Sequence, residues 1–161
     1  MGKKLNALFG RSSKTAKLKM LANLAISRIA ILRNLHSVKC SQAKSDVVQL
    51  LRLGHQERAI IRVEHVIKEE NTLDAFVLIE NYCYLLGERS EMVKNSRECP
   101  DELKEAISSL IFAASRCGEF PELQQIRVLL TSKFGTHFAT SAVELRNNCG
   151  VYPKVHFNVH Q

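Results

Sequence analysis

Residues 41–67 read SQAKSDVVQLLRLGHQERAIIRVEHVI, and the fold turns on the single glycine inside them, Gly54. Upstream of it the 43 residues from Arg11 to Leu53 contain neither Gly nor Pro, and downstream none occurs until Gly87. In the first run Leu18, Leu21, Ala25, Ile29, Leu32, Ala43, Val47 and Leu50 recur at helical spacing. They predict a helix from about Lys14 to Leu53, roughly 60 Å long at 1.5 Å per residue. Its weakest stretch is Cys40–Ser41, which is polar and short of good helix formers. In the second run Ala59, Val63, Val66, Ile67, Phe76, Val77, Cys83 and Leu86 predict another helix, from about Gln56 to Gly87. Gly54 stands where a helix C-cap is needed. Two long helices joined by so short a turn fold back on each other as an antiparallel hairpin.

Working outward, Glu88–Cys99 is polar and reads as a loop or a frayed extension of the second helix. Pro100-Asp101-Glu102 starts a third helix, with acids at the positive end of its dipole. Leu103, Ala106, Ile107, Leu110, Ile111 and Ala114 form its buried stripe, and Gly118 ends it. Pro121-Glu122 repeats the start signal for a fourth, carried by Leu123, Ile126 and Leu130 up to Gly135. A last helical piece spans about Thr136–Asn147. No segment alternates with period two, so the fold class is all-α, a long hairpin with shorter helices packed against it.

The chain has 161 residues, the size of one domain. With 45% hydrophobic and 24% charged residues it has the composition of an ordinary folded protein. No charge-free run exceeds ten residues, which is too short to cross a bilayer, and the N-terminus shows no secretory pattern. A cytoplasmic protein, or one peripheral on a cytosol-facing membrane, is expected. Charge is divided unevenly. Residues 1–54 hold eleven Lys/Arg against one acid, Asp46; the remainder holds twelve against fifteen. Such a split marks a surface for something anionic, either nucleic acid or a membrane.

Catalytic constellations are poor. None of the phosphate-loop, dinucleotide, zinc-protease or nucleophile-elbow motifs occurs. Five cysteines, Cys40, Cys83, Cys99, Cys117 and Cys149, are an odd number without a CxxC, and read as reduced structural thiols. A cysteine enzyme using Cys83 or Cys117 lacks a base partner. His65 reads as a helix-surface or interhelix residue. His156 and His160 lie four apart but have no third ligand, so neither a metal nor a cofactor is expected. The segment Glu57–Glu70 carries Arg58 and Arg62 on one face, with Glu57 and Glu64 on neighbouring faces. That pattern is either a solvated face or a charge code read by a neighbouring subunit.

The basic first helix, the Gly54 turn and the run Gly54-His55-Gln56-Glu57-Arg58-Ala59-x-x-Arg62-Val63-Glu64-His65-Val66-Ile67 resemble the Ist (increased sodium tolerance) family of ESCRT-III-like proteins. So do Ile79-Glu80-x-Tyr82-Cys83 and Cys99-Pro100-Asp101-Glu102-Leu103-Lys104-Glu105-Ala106 leading to Ala113-Ala114-Ser115-Arg116-Cys117-Gly118. The closing Phe120-Pro121-Glu122-Leu123, Phe134-Gly135 and Glu144-Leu145-Arg146-Asn147-Asn148-Cys149-Gly150-Val151 resemble its plant-type branch.

The resemblance implies a non-enzymatic, self-assembling helical hairpin on endosomal membranes, serving multivesicular body sorting and vacuolar protein transport. It further implies association with charged multivesicular body proteins, which are ESCRT-III subunits, and regulation of the AAA ATPase that dismantles their filaments. A partner's amphipathic helix is expected in the grooves between the hairpin and residues 100–117 and 121–133. Glu57, Arg58, Arg62 and Glu64 become assembly or partner residues. Lys3, Lys4, Arg11, Lys14, Lys17, Lys19, Arg28, Arg33 and Lys39 become the membrane-binding set.

Residues 1–13 read as a basic segment, with Leu5, Leu8 and Phe9 forming either a short amphipathic insert or a disordered terminus. Met1-Gly2 resembles the start of an acylation site, but Asn6 stands where Ser or Thr is required. The helical domain covers 14–151. Residues 152–161 match neither the family's further helix, which folds back on the hairpin, nor its tail that binds MIT domains. The resemblance therefore does not carry direct recruitment of the ATPase and its MIT-domain cofactor. The alternative reading is a nucleic-acid-binding helical protein using the basic first helix. Scarce aromatics and the lack of a helix-turn-helix or RNA-module pattern oppose it.

Overall fold

The computed structural model describes residues 2–160, with side chains described for 13–156, 158 and 159. Helix α1 runs Gly2–Arg52 and α2 runs Gln56–Glu88; α3 is Ser90–Asn95, α4 Asp101–Arg116, α5 Pro121–Phe134, α6 Thr136–Val143 and α7 Pro153–His160. No strand occurs among the described residues.

The turn at Gly54 closes as a Schellman motif. The His55 N–H donates to the Leu50 carbonyl at 2.8 Å and the Gly54 N–H to that of Leu51 at 3.1 Å, with Gly54 at φ +78. No atom lies within 4 Å of the position a Cβ would take, so backbone conformation alone selects glycine there. Gly54→Ala is accordingly expected to destabilise the protein by about 1–2 kcal/mol, read as a shift in urea midpoint with unchanged slope.

Helix α1 buries Leu18, Leu21, Ala22, Ala25, Ile29, Leu32, Cys40 and Ala43 against α2, α3 and α5, and α2 buries Ala59, Ala75, Phe76, Ile79, Cys83 and Leu86. Toward the tip the buried residues are small, which lets the two backbones approach. Three ion pairs, Arg33–Glu80, Lys44–Glu70 and Arg62–Asp46, and a hydrogen-bond contact between His36 Nδ1 and Glu69 stitch the helices together. His36 also meets the Phe76 ring edge-on at 5.4 Å.

Helix α4 is the centre of the wide end of the molecule. It is enclosed by α2, α5, α6 and α7, and every residue from Ala106 to Ala114 is buried. Its apolar stripe is therefore broader than the sequence indicates, and it includes Ser108 and Ser109.

Three stretches differ from expectation. Helix α1 starts at Gly2 rather than Lys14, because Gly10 costs helix stability (roughly 1 kcal/mol) without ending the helix. As expected, it runs unbroken through its weakest stretch, Cys40–Ser41, where burial of Cys40 and Ala43 outweighs local propensity. The polar stretch after Gly87 contains α3, held by Ser90 and Val93, which are both buried. Finally, residues 152–161 do not simply diverge: α7 folds back on α2 and α4, burying Val155 completely. The suggested insert at Leu5, Leu8 and Phe9 and the acylation signal lie outside the described side chains.

Candidate functional site

Where α5 lies beside α1 and α3, a cavity of about 220 Å³ opens. Leu18, Val93, Leu129 and Leu130 contribute its apolar lining, with Lys14, Lys94 and Lys133 among the polar residues. Their positions follow from three short sequence devices. Ser90 and Val93 anchor α3. Pro121 starts α5 at its first position, and Leu123, Ile126 and Leu130 bury that helix's inner face. The Lys133 ammonium donates to the Lys94 carbonyl at 3.0 Å, tying the end of α5 to α3. Lys94 itself stands 3.5 Å from Glu91. Such a site takes a ligand that is apolar on one side and acidic on the other, and its volume suits one or two anchoring side chains.

The groove expected between the hairpin and residues 100–117 is not open. Helix α4 is enclosed, and α7 lies across α2 and α4. The open cavity lies instead beside residues 121–133, with α3 completing it.

The nine membrane candidates separate into groups. Lys3, Lys4 and Arg11 lie outside the described side chains. Lys14 belongs to the cavity. Arg28 donates its Nε proton to Glu122 on α5 at 2.5 Å, and this neighbour holds the Glu122 carboxyl below its usual range. Arg33 pairs with Glu80 on α2 at 3.1 Å. Both arginines are thus engaged by acids of neighbouring helices. Lys17, Lys19 and Lys39 are exposed and have no ion pair among the described residues.

Of the assembly candidates, Arg62 donates from Nε and Nη2 to the same Asp46 oxygen, at 3.0 and 2.7 Å. Asp46 also accepts from Gln42 at 2.9 Å; that bond and the guanidinium lower its pKa. Arg62 is thus engaged across the hairpin within the chain, whereas Glu57, Arg58 and Glu64 point to solvent. The cysteines are free. Burial pushes the Cys83 thiol up to about 12 and raises that of Cys117, the direction opposite to an activated nucleophile.

Lys94 and Ser90 were missed because their segment reads as a loop. Val93 three residues after Ser90 was the available signal, and it is too short to show a period.

With the hairpin, the enclosed α4 and the cavity described, the chain can be set beside known proteins. A family model described as "Regulator of Vps4 activity in the MVB pathway" matches residues 19–160. The chain belongs to the Ist1 family. The match extends through α7, so the closing stretch lies inside the Ist1 span rather than beyond it. An IST1-like protein of Dictyostelium discoideum is 39% identical over 127 residues, which is 79% of this chain and 34% of that protein. The vacuolar protein sorting-associated protein IST1 of Saccharomyces cerevisiae is 27% identical over 137 residues, 80% of this chain and 46% of that protein. The chain therefore spans between a third and a half of these relatives. The solved N-terminal domain of S. cerevisiae Ist1, in complex with a Did2 MIM motif, superposes with a TM-score of 0.80 at 25% identity, covering 90% of this chain and 80% of that one. Among the described residues no helix is long and apolar enough to cross a membrane.

Proposed function

We propose that the chain is a non-enzymatic ESCRT-III-like assembly factor of the multivesicular body pathway. It binds an amphipathic helix of a charged multivesicular body protein, modulates the Vps4-type ATPase, and sits peripherally on anionic endosomal membrane. The observation that carries the partner reading is the lysine-rimmed, leucine-floored cavity between α1, α3 and α5, whose lining matches an acidic helix bearing leucine anchors. The Ist1 membership and the MIM motif held by the yeast relative support it. The membrane reading is supported by the free Lys17, Lys19 and Lys39 on a helix with no acid before Asp46.

Removing residues 100–161 would be no test, because α4 is the core. Point changes at the cavity rim are needed instead. Lys94→Glu with Lys133→Glu is expected to weaken binding of a charged multivesicular body protein's C-terminal helix by roughly tenfold or more, measured by titration calorimetry. Helical circular dichroism should be unchanged. Unaltered affinity in the double variant would exclude this cavity as the docking site. Duplex DNA binding as tight as vesicle binding at matched salt would move the basic helix to the nucleic-acid reading.

A further inference from the structure

We propose that the outward row Met20, Leu24, Ile31, Leu35 and Val38 of α1 is the part of the protein that enters the headgroup region of an anionic bilayer. It rests on the membrane reading above, and it adds an apolar contact to what that reading treats as a purely electrostatic one.

All five side chains are large, apolar and 46–68% exposed. At about 100° per residue they fall within a sector of roughly 60°, turned about 130° from the buried seam. The row is about 27 Å long at 1.5 Å per residue, so it forms a straight ridge rather than scattered points. A run of this size on one face calls for a covering phase, whereas single exposed leucines do not.

Charge decides what covers it. Lys17 lies within the same sector and Lys39 borders it, both exposed and unpaired among the described residues. The other border is Asn23, Ser27, Asn34, Ser41 and Ser45, small and neutral. Helix α1 itself has no acid before Asp46, and the one acid that α5 brings beside Arg28 near the row, Glu122, is paired with that arginine and mostly covered. A second copy laid on this face in antiparallel register would bring Lys17 and Lys39 of the two chains together without a compensating acid. An apolar stripe with lysines beside it is the arrangement by which a helix lies in a membrane interface with its apolar face sunk about 5–10 Å. The lysines keep their heads among the phosphates while their stems run along the acyl boundary.

Two consequences separate this contact from a charge-only one. Attraction between Lys17 and Lys39 and the lipid weakens with salt, whereas the apolar row keeps its share. Depth also becomes measurable. The sequence contains no tryptophan, so Leu35→Trp supplies a lone reporter on the row.

The full chain is floated with phosphatidylcholine vesicles containing about 30% phosphatidylserine, a composition that attracts basic segments. Wild type is expected to float, and to retain part of its binding when salt is raised. Ile31→Gln, Leu35→Gln and Val38→Gln together are expected to reduce partitioning by roughly tenfold or more, with an unchanged circular dichroism spectrum. The Leu35→Trp emission is expected to shift to the blue with vesicles and to be quenched by lipids brominated near the headgroup. If wild type floats and the triple variant floats equally, or if the tryptophan emission does not respond, the row is not inserted and the inference fails while the charge reading stands. If wild type does not float, the membrane reading itself fails. If the triple variant floats normally but loses self-association by light scattering, the row is a protein interface and the inference is overturned.

Discussion

Phe112→Ala is expected to lower the unfolding free energy by about 3–5 kcal/mol. The ring is fully buried on α4. His156 of α7 meets it edge-on at 5.8 Å, and the Arg116 guanidinium lies over it at 5.0 Å. Because α4 is enclosed by four helices, its neighbours cannot collapse into the space left behind, and the cavity term stays near its maximum. Against a total stability of about 5–15 kcal/mol for a domain, that loss moves the protein close to its unfolding threshold at physiological temperature. Urea unfolding followed by circular dichroism would read it as a lower midpoint at unchanged slope. A loss below about 1 kcal/mol would mean that the wide end repacks freely, contrary to the closed core described above.

The hairpin was legible because its signals are long and mutually consistent. Two breaker-free runs meet at Gly54, and their apolar residues keep one period over many turns. Pro121 and Gly135 bounded α5 for the same reason, each acting on the backbone alone. What stayed hidden depended on residues far away in the chain. On a helical wheel Arg28 lies beside Lys17 and Lys39, and Arg33 reads as one more cation of α1, since a wheel shows one helix's own charges and not the acids that will face it. Glu122 lies 94 residues from Arg28 and Glu80 lies 47 from Arg33, so only the packed structure separates structural arginines from free lysines. The pairing of Arg62 was hidden in the same way, because its partner Asp46 sits across the turn. Reversing Arg28 together with the free lysines would therefore confound membrane binding with a broken α1–α5 contact. Helix α7 was hidden for another reason. Val155 and Val159 do lie four apart, but eight residues give too little period to weigh against a motif that does not match.

Gly150 decides whether α7 stays on the core, and Gly150→Ala is expected to cost about 2–4 kcal/mol from two sources that act together. The first is conformational: Gly150 has φ +87, in the left-handed region where a Cβ is disfavoured. The second is steric. A Cβ built there would stand 2.9 Å from Lys104 Cγ, 3.1 Å from Ser108 Oγ and 3.3 Å from the Lys104 carbonyl oxygen. The lysine stem can move aside, but the helical carbonyl of α4 cannot, so the chain after Gly150 has to lift. Ser108 is already the one buried hydroxyl without a partner among the described residues, and a methyl group would leave it no better placed to find one. Two residues further on, the Tyr152 N–H donates to Ser109 Oγ at 2.9 Å, and Val155 is fully buried. Lifting the chain breaks that bond and exposes Val155 and one edge of Phe112. Hydrogen exchange is the discriminating measurement, because the Tyr152 amide and α7 should lose protection before the hairpin does. Protease cleavage should likewise concentrate in residues 150–160 of the variant. If the Tyr152 amide keeps its wild-type protection in Gly150→Ala, the close approach to α4 is not what seats α7.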